Sequence, residues 1–315
     1  MASSTEIANK PILQLLLIVG LCIVSTIIFS SLGVVFTTIF YGINISSLYG
    51  YSDPNTIAGL KFFQLLSGVG LFLVPPIAYS FIISKYPLKQ LELKQFSTPI
   101  NYGLLFLLMV VVSPFMSWLI EWNANMVLPD FLKAIELWMK ESEATAAELT
   151  KAFLTFDGLG SLFYVLLIVA IVPAIGEELL FRGVLQKIVI QWTKNVHWGI
   201  WITAILFSAL HMQFYGFLPR MLLGVIFGYL LVWSKSLWLP ILGHFINNGS
   251  VVILSYFYPE MMKDTEVAVF SDDEYKVVYY LLSGIISGAI FYMIKRVNNE
   301  RIDIDTVSEI NQSRR

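Results

Sequence analysis

Long apolar runs recur along this chain, and about 20 consecutive apolar residues are what a helix needs to cross the hydrocarbon core of a bilayer. Eight segments reach or approach that length, at roughly 11–40, 58–84, 100–120, 159–190, 198–215, 219–233, 237–257 and 276–295. The first and fourth are long enough to tilt or to extend beyond the bilayer. The fifth and sixth are short and separated by GFLPR, residues 216–220. Composition decides between a membrane and a soluble core. Of the 315 residues, 57% are hydrophobic and 13% charged, and the mean hydropathy is +0.73. A soluble domain carries about 25% charged residues, so this chain lacks the polar surface to coat a globule. The expectation is an all-α fold: a polytopic membrane helix bundle of about eight transmembrane helices.

Other classes fall away on the same grounds. A net charge of −2 provides no broad basic face, so nucleic acid is not an expected partner. The single cysteine, Cys22, can form no internal disulfide and reads as a small packing residue. Lys10 precedes residues 11–40, but that run exceeds a signal h-region and ends at no small-x-small site, so it reads as the first transmembrane helix.

Lysine and arginine in the loops set the expected orientation. With the N-terminus inside and alternating crossings, the inner side holds Lys10, Lys85, Lys89, Lys94, Lys187, Lys194, Lys235, Lys295, Arg296, Arg301, Arg314 and Arg315. The outer side holds Lys61, Lys133, Lys140, Lys151, Arg220, Lys263 and Lys276, and Arg182 lies within a helix. This bias of twelve to seven places both termini in the cytoplasm, in the plasma membrane of a bacterium, since no eukaryotic targeting signal is evident.

Between the third and fourth runs, residues 121–158 are acidic. Phe131, Ile135 and Trp138, then Leu149, Phe153 and Phe156, recur at helical spacing. One or two amphipathic helices on the outer surface are expected, either a solvated connector or a substrate gate. Residues 259–275 read as a second, solvated acidic loop. Gly224/Gly228 and Gly284/Gly288 are GxxxG pairs that let helices approach. No internal repeat is evident. The chain reads as one membrane domain in three stretches: N-terminal helices with the outer segment over 1–158, a core over 159–258, and the last helix with a cytoplasmic tail over 259–315.

Ionisable residues inside a membrane are rare and usually face the bundle interior or a wet cavity. Three of the runs carry them. The fourth has Glu177, Glu178 and Arg182, the fifth has His211, and the seventh has His244 with Asn248. Glu178 and Arg182 are i,i+4, with the acid N-terminal as an ion pair prefers. Glu177 is turned about 100° away and is free to face something else. His244 and Asn248 project together. Pro173, four residues before Glu177, removes a backbone hydrogen bond beside the site. Counting residues from the inner helix ends permits the three polar places to share one layer. His197, beside Trp198, reads as interfacial and without a role.

A glutamate, two histidines and an asparagine, with no motif-supported Ser or Cys nucleophile, suit activation of water for amide hydrolysis. The carboxylate takes the proton, a histidine holds the water, and the His/Asn pair donates to the oxyanion. A structural ion pair for Glu178–Arg182 is the plainer alternative.

At these residues the sequence resembles the CPBP intramembrane proteases, the CAAX prenyl protease type II and bacteriocin-processing (Abi) family. Its pattern of EExxxR, FxxxH and HxxxN/D on successive core helices is matched by EELLFR (177–182), FSALH (207–211) and HFINN (244–248). The resemblance covers about residues 160–255. It implies Glu177 as the base acting with His211, Glu178 and Arg182 in support, and His244 with Asn248 at the oxyanion. It also implies a peptide or prenylated protein substrate among membrane lipids, by CAAX-type or leader-peptide processing. No cofactor is favoured, because a glutamate cannot easily be both ligand and base. The same His211, His244 and Glu177 could nevertheless bind zinc. An ion-coupled transporter also uses buried Glu, Arg and His, but it predicts inverted repeats and Gly/Pro-broken helix pairs in both halves, and here there is one polar cluster, in the second half.

Overall fold

The computed structural model describes residues 7–43, 53–262 and 276–313. Among them are nine helices of 14 residues or more. In chain order these are α1 (Pro11–Tyr41), α2 (Pro54–Ile83), α3 (Pro99–Ala124), α4 (Lys133–Phe153), α5 (Leu159–Thr193), α6 (Val196–Ala209), α7 (Phe217–Ser234), α8 (Trp238–Phe257) and α9 (Lys276–Ser313). Each of the eight expected segments contains a helix, although that of 198–215 ends at Ala209. Six helices, α1, α2, α3, α5, α7 and the Lys276–Asn299 part of α9, are long and apolar enough to cross a membrane. The other two differ for separate reasons. Helix α6 has only 14 residues, and α8 carries His244, Asn247 and Asn248 in its middle. The acidic loop expected over 259–275 lies outside the described residues beyond Met262, as do Lys263, Arg314 and Arg315 of the charge count.

The surface is that of a protein solvated by lipid. On α1 the buried residues are Gln14, Ile18, Ser25, Gly33 and Thr37, so its inward stripe is mostly polar or small. Leu16, Ile23, Ile27 and Ile39 point outward, as do Ile285 and Tyr292 on α9. This reverses the pattern of a helix on a soluble domain, where the apolar stripe faces the core. It follows from a solvent as apolar as leucine, which leaves small and polar side chains to make the helix contacts.

Several helices are interrupted, and in α2 and α3 a backbone group at the break finds a partner on another helix. In lipid an unmet backbone group has no water to turn to. Pro75 and Pro76 follow a π-helical turn in α2 (Val69–Leu73), and the Cys22 thiol of α1 lies 3.9 Å from Leu71 O, the carbonyl that Pro75 cannot serve. Cys22 therefore adds a weak polar contact to its packing role. In α3, Pro114 is followed by Phe115, whose N–H donates to Ser283 Oγ of α9 at 3.2 Å, while that hydroxyl donates to Val111 O at 2.5 Å. Helix α5 has two π-helical turns, Leu166–Ile171 and Leu179–Leu185, which flank Glu177 and Glu178. Such turns are frequent at functional sites.

Small residues set how closely the helices meet at the centre. A Cβ on Gly176 would lie 2.7 Å from Phe72 Cβ, so α2 approaches α5 right beside Glu177. Gly224 and Gly228 both serve close packing: their Cβ positions lie against Ala204 and Ile200 of α6. Of the second pair, Gly284 meets Phe115, whereas Gly288 faces open space, so only one of those glycines packs.

Within residues 121–158 a single amphipathic helix, α4, follows a short turn at Asp130–Leu132. Lys61 corrects the loop-charge count. It is buried within α2 and donates from Nζ to Thr155 O at 2.8 Å. At the opposite end, residues 90–95 lie across α5 and α8. There Lys187 Nζ donates to Gln90 O (2.6 Å), Trp238 Nε1 to Leu93 O (3.0 Å) and Ser236 Oγ to Gln95 O (2.7 Å).

Candidate active site

The buried ion pair comes first, because it fixes the rest. Arg182 Nη1 donates to Glu178 Oε1 at 2.7 Å, with the two side chains 1% and 0% exposed. Burying such a pair is costly unless its remaining hydrogen-bonding groups are met; here the guanidinium is met, whereas Glu178 Oε2 has no hydrogen-bond partner among the described residues. Arg182 Nη2 reaches the backbone carbonyl of Gly224 (3.2 Å), and one turn on Gln186 Nε2 reaches that of Gly228 (3.1 Å). The GxxxG of α7 thus exposes two carbonyls to two polar side chains of α5, besides admitting α6. The guanidinium also lies over the Phe207 ring, 4.5 Å from its centroid.

Glu178 serves a second partner that spacing alone did not disclose. His244 Nδ1 donates to the same Oε1 at 2.9 Å. The carboxylate therefore joins α5 to α8 and sets the imidazole with Nε2 away from it. Phe227 stacks on His244 at 5.9 Å between centroids, and Phe207 meets it edge-on at 6.1 Å.

His211 departs from the expected position. It does not lie inside a membrane helix; α6 ends at Ala209, and the chain turns through Met212 in a left-handed conformation (φ 55°). His211 Nδ1 still finds Phe207 O at 2.8 Å. A carbonyl only accepts, so Nδ1 carries the proton and Nε2 a lone pair. The turn is held from several sides. Ser208 Oγ donates to Phe217 O (2.6 Å), Asn123 of α3 donates to Phe214 O and accepts from Leu218 N–H (both 3.0 Å), and Arg220 Nη2 donates to Gln213 Oε1 (2.8 Å). Trp138 of α4 packs on Phe214, 5.1 Å between centroids. Asn123 and Arg220 sit in stretches that read as a helix end and a loop charge, without a motif to mark them. Phe207 was marked only as the first letter of FxxxH, yet its ring touches Arg182, His211 and His244.

The three polar places do converge. Glu177 Oε2 is 3.9 Å from His211 Nε2 and 3.8 Å from His244 Nε2. It is buried and has no hydrogen-bond partner among the described residues. Asn248 Nδ2 lies 3.3 Å from His244 Nε2 and donates to Val169 O at 3.1 Å, while Asn248 Oδ1 accepts from Asn247 at 3.1 Å. Glu177, His211, His244 and Asn248 form one cluster. Glu178 and Arg182 stand behind it, and His197 is remote, bonded to Tyr229 OH at 2.6 Å.

In the neutral Nδ1–H forms, Glu177 Oε2 and the two Nε2 atoms are all acceptors. They call for a shared donor, such as water, or for a cation. As zinc ligands they are right in kind, but tetrahedral zinc would hold N and O about 3.4 Å apart. The observed 3.8–3.9 Å is wider, and no group of three or more metal-binding side chains is arranged to hold an ion among the described residues. A cavity of about 490 Å³, with apolar surface from Phe96, Tyr102, Ile171, Ala174, Ile175, Trp238, Ile241, Leu242 and Phe245, lies against α5 and α8; none of the four cluster residues lines it.

Residues 159–250 match the family model described as type II CAAX prenyl endopeptidase Rce1-like, so the family resemblance read from the motifs holds over the stretch that contains all six polar residues. The uncharacterized protein YpbD of Bacillus subtilis (strain 168) is 31% identical over 80 residues, which cover 24% of this chain and 38% of YpbD. The chain thus spans well under half the length of that relative. No solved structure matches it. With its long apolar helices and this match to a protease family, the chain is a multi-pass integral membrane protein.

Proposed function

We propose that this chain is an intramembrane endopeptidase in which Glu177 activates water. The observation that carries the reading is the buried, unpartnered Glu177 Oε2 facing two histidine lone pairs at 3.8 and 3.9 Å. A water between Glu177 and His211 gives one hydrogen to each and keeps its lone pairs for a peptide carbonyl. As the oxygen bonds to the carbonyl carbon, its proton passes to Glu177. The carbonyl oxygen becomes an oxyanion. Asn248 Nδ2 is its standing donor, and His244 adds a second when both ring nitrogens are protonated. Glu177 then returns the proton to the leaving amine as the C–N bond breaks. Glu178 and Arg182 position His244 and do not touch the reacting atoms.

Zinc, if bound, would be held by His211 Nε2, His244 Nε2 and Glu177 Oε2 and would polarise the carbonyl. The metal-free reading is favoured because it leaves Glu177 free as a base. The apolar cavity against the same two helices, α5 and α8, supports a substrate that carries a large apolar group. A prenylated C-terminal peptide is the first choice, given the matched family's description, and an apolar leader peptide the second. Both termini lie in the cytoplasm, in keeping with the lysine and arginine bias of a bacterial plasma-membrane protein.

The test is cleavage by the purified full chain in lipid nanodiscs, using farnesylated and unmodified peptides. Glu177→Gln lowers turnover by about 100-fold or more, as loss of a general base does; near-normal turnover overturns the assignment. Stoichiometric zinc, with activity lost on chelation and restored by zinc, would replace the metal-free mechanism. For topology, in a Cys22→Ser background a cysteine at 145 labels from outside and one at 90 only after permeabilisation; the reverse pattern overturns the orientation.

A further inference from the structure

Arg182 and Arg220 both stand near the cluster, and only the first is matched. Arg182 is paired with Glu178 at 2.7 Å. Arg220, in the first turn of α7, has no carboxylate within ion-pair distance among the described residues. Its Nη2 donates to Gln213 Oε1 at 2.8 Å and its Nη1 to Gln213 O at 3.4 Å. A guanidinium has five N–H hydrogens, so three of these have no acceptor among the described residues. The position adds to the cost, because the first turn of a helix disfavours a cation. Gly216 makes room for the group: a Cβ there would lie 3.1 Å from Arg220 Nη2. Arg220 is half-buried, and its charge acts on both Glu177 and His211. Glu143 of α4 is also near enough to act on it, but accepts from Tyr215 N–H at 3.4 Å.

The layout of the site says which anion would meet it. The apolar cavity is walled by α5, α8, Phe96 and Tyr102, and by nothing from α6, α7 or the turn between them. Glu177 borders both places: it is two residues on from Ile175 in the cavity wall, and His211 of the turn is 3.9 Å away. A substrate with its apolar group in the cavity and its cleaved bond at Glu177 carries its leaving segment toward the turn. We infer that Arg220 is a specificity-determining residue, whose open N–H groups take the C-terminal carboxylate of that leaving segment. A carboxylate offers two acceptor oxygens that match the guanidinium fork. The inference rests on the peptidase reading for its substrate, but binding of the carboxylate does not require turnover.

The experiment compares two farnesylated peptides that differ only in a free or an amidated C-terminus, with the full chain in phosphatidylcholine nanodiscs. Wild type cleaves the free acid about tenfold better or more in kcat/KM. In Arg220→Gln the ratio falls to about one, because cleavage of the acid slows far more than that of the amide. Arg220→Lys keeps the charge without the fork, and its ratio drops to about threefold. An undiminished ratio in Arg220→Lys overturns the inference, and this variant decides if Arg220→Gln does not fold. A wild type indifferent to the terminus also overturns it. So does a loss shared equally by both peptides, which assigns Arg220 to holding the turn or to a lipid headgroup. The second arm is binding of the same peptides, fluorescently labelled, to the Glu177→Gln protein. The acid binds about fivefold tighter than the amide or more, and adding Arg220→Gln removes the difference. Equal affinities, or no binding of either peptide, overturn the inference. If wild type cleaves neither peptide and the binding difference stands, the peptidase reading has failed and the carboxylate site remains.

Discussion

Two polar clusters lie between the helices, and they are built on opposite rules. Between α3 and α9, Asn101 and Asn298 exchange hydrogen bonds: Asn101 Nδ2 donates to Asn298 Oδ1 at 3.0 Å, and Asn298 Nδ2 to Asn101 Oδ1 at 3.4 Å. Asn101 also donates to Ser97 Oγ at 2.7 Å, and Asn298 to Ile294 O at 2.7 Å. Donors meet acceptors throughout, and both amides are buried. Between α5, α6 and α8 the acceptors face one another, and Glu177 Oε2 has no hydrogen-bond partner among the described residues. A satisfied buried network fixes helix pairing. An unsatisfied one is a cost, and each such atom calls for an explanation such as strain, chemistry or an ordered water. The two clusters differ in the balance of donors and acceptors: it is closed at Asn101–Asn298 and open at Glu177 Oε2, as it is at Glu178 Oε2 behind it.

The helix breaks repeat the contrast. At Pro114 the single Ser283 hydroxyl both accepts and donates, so it is fully used in repairing α3. Asn248, which donates to Val169 O in the broken part of α5, has a hydrogen to spare.

The contrast is broken or sharpened by five substitutions, two of them combined in one double variant. The largest separation comes from Glu177→Gln, read by melting: turnover falls by about 100-fold or more while Tm holds or rises, because a buried unpaired carboxylate has been removed. A Tm drop as large as that of an ordinary core mutant would place Glu177 in the structural class. Next, Arg182→Met strands the Glu178 carboxylate and costs about 3–5 kcal/mol in denaturant unfolding. It also reduces turnover per folded molecule, since Glu178 orients His244. Unchanged stability would show that the pair is not the anchor of the cluster. Asn101→Leu leaves Asn298 unmet and costs about 1–3 kcal/mol, with turnover per folded molecule unaltered. Adding Asn298→Leu recovers most of that cost, and a double variant worse than either single one contradicts the pairing. The smallest effect is that of Ser283→Ala, about 1 kcal/mol with normal turnover; a turnover defect would tie the α3 break to the site.

Much of this was legible in the chain. Run lengths gave the helices, and the i,i+4 spacings gave the Glu178–Arg182 pair, the His244–Asn248 pair and the freedom of Glu177. These follow from 3.6 residues per turn and hold wherever the helix sits. The motif order pointed to one cluster. Spacing was less reliable at helix ends. It put His211 inside a helix, whereas a turn held by Asn123, Ser208 and Arg220 carries it just beyond α6. Counting loop charges likewise placed Lys61 outside, although Thr155 O holds it buried in α2.

What sequence alone determined is what one helix dictates to itself: its length, its lipid-facing residues, which polar side chains share a face, and which carbonyls a proline leaves unserved. Tertiary structure decided who answers. Glu178 is shared by Arg182 and His244, Val169 O is met by Asn248, and Glu177 Oε2 is left among lone pairs. Each of these depends on how two or more helices are turned and slid against one another. That is set by small residues at the contacts, Gly176, Gly224 and Gly249, whose approach distances no periodicity within a single helix encodes.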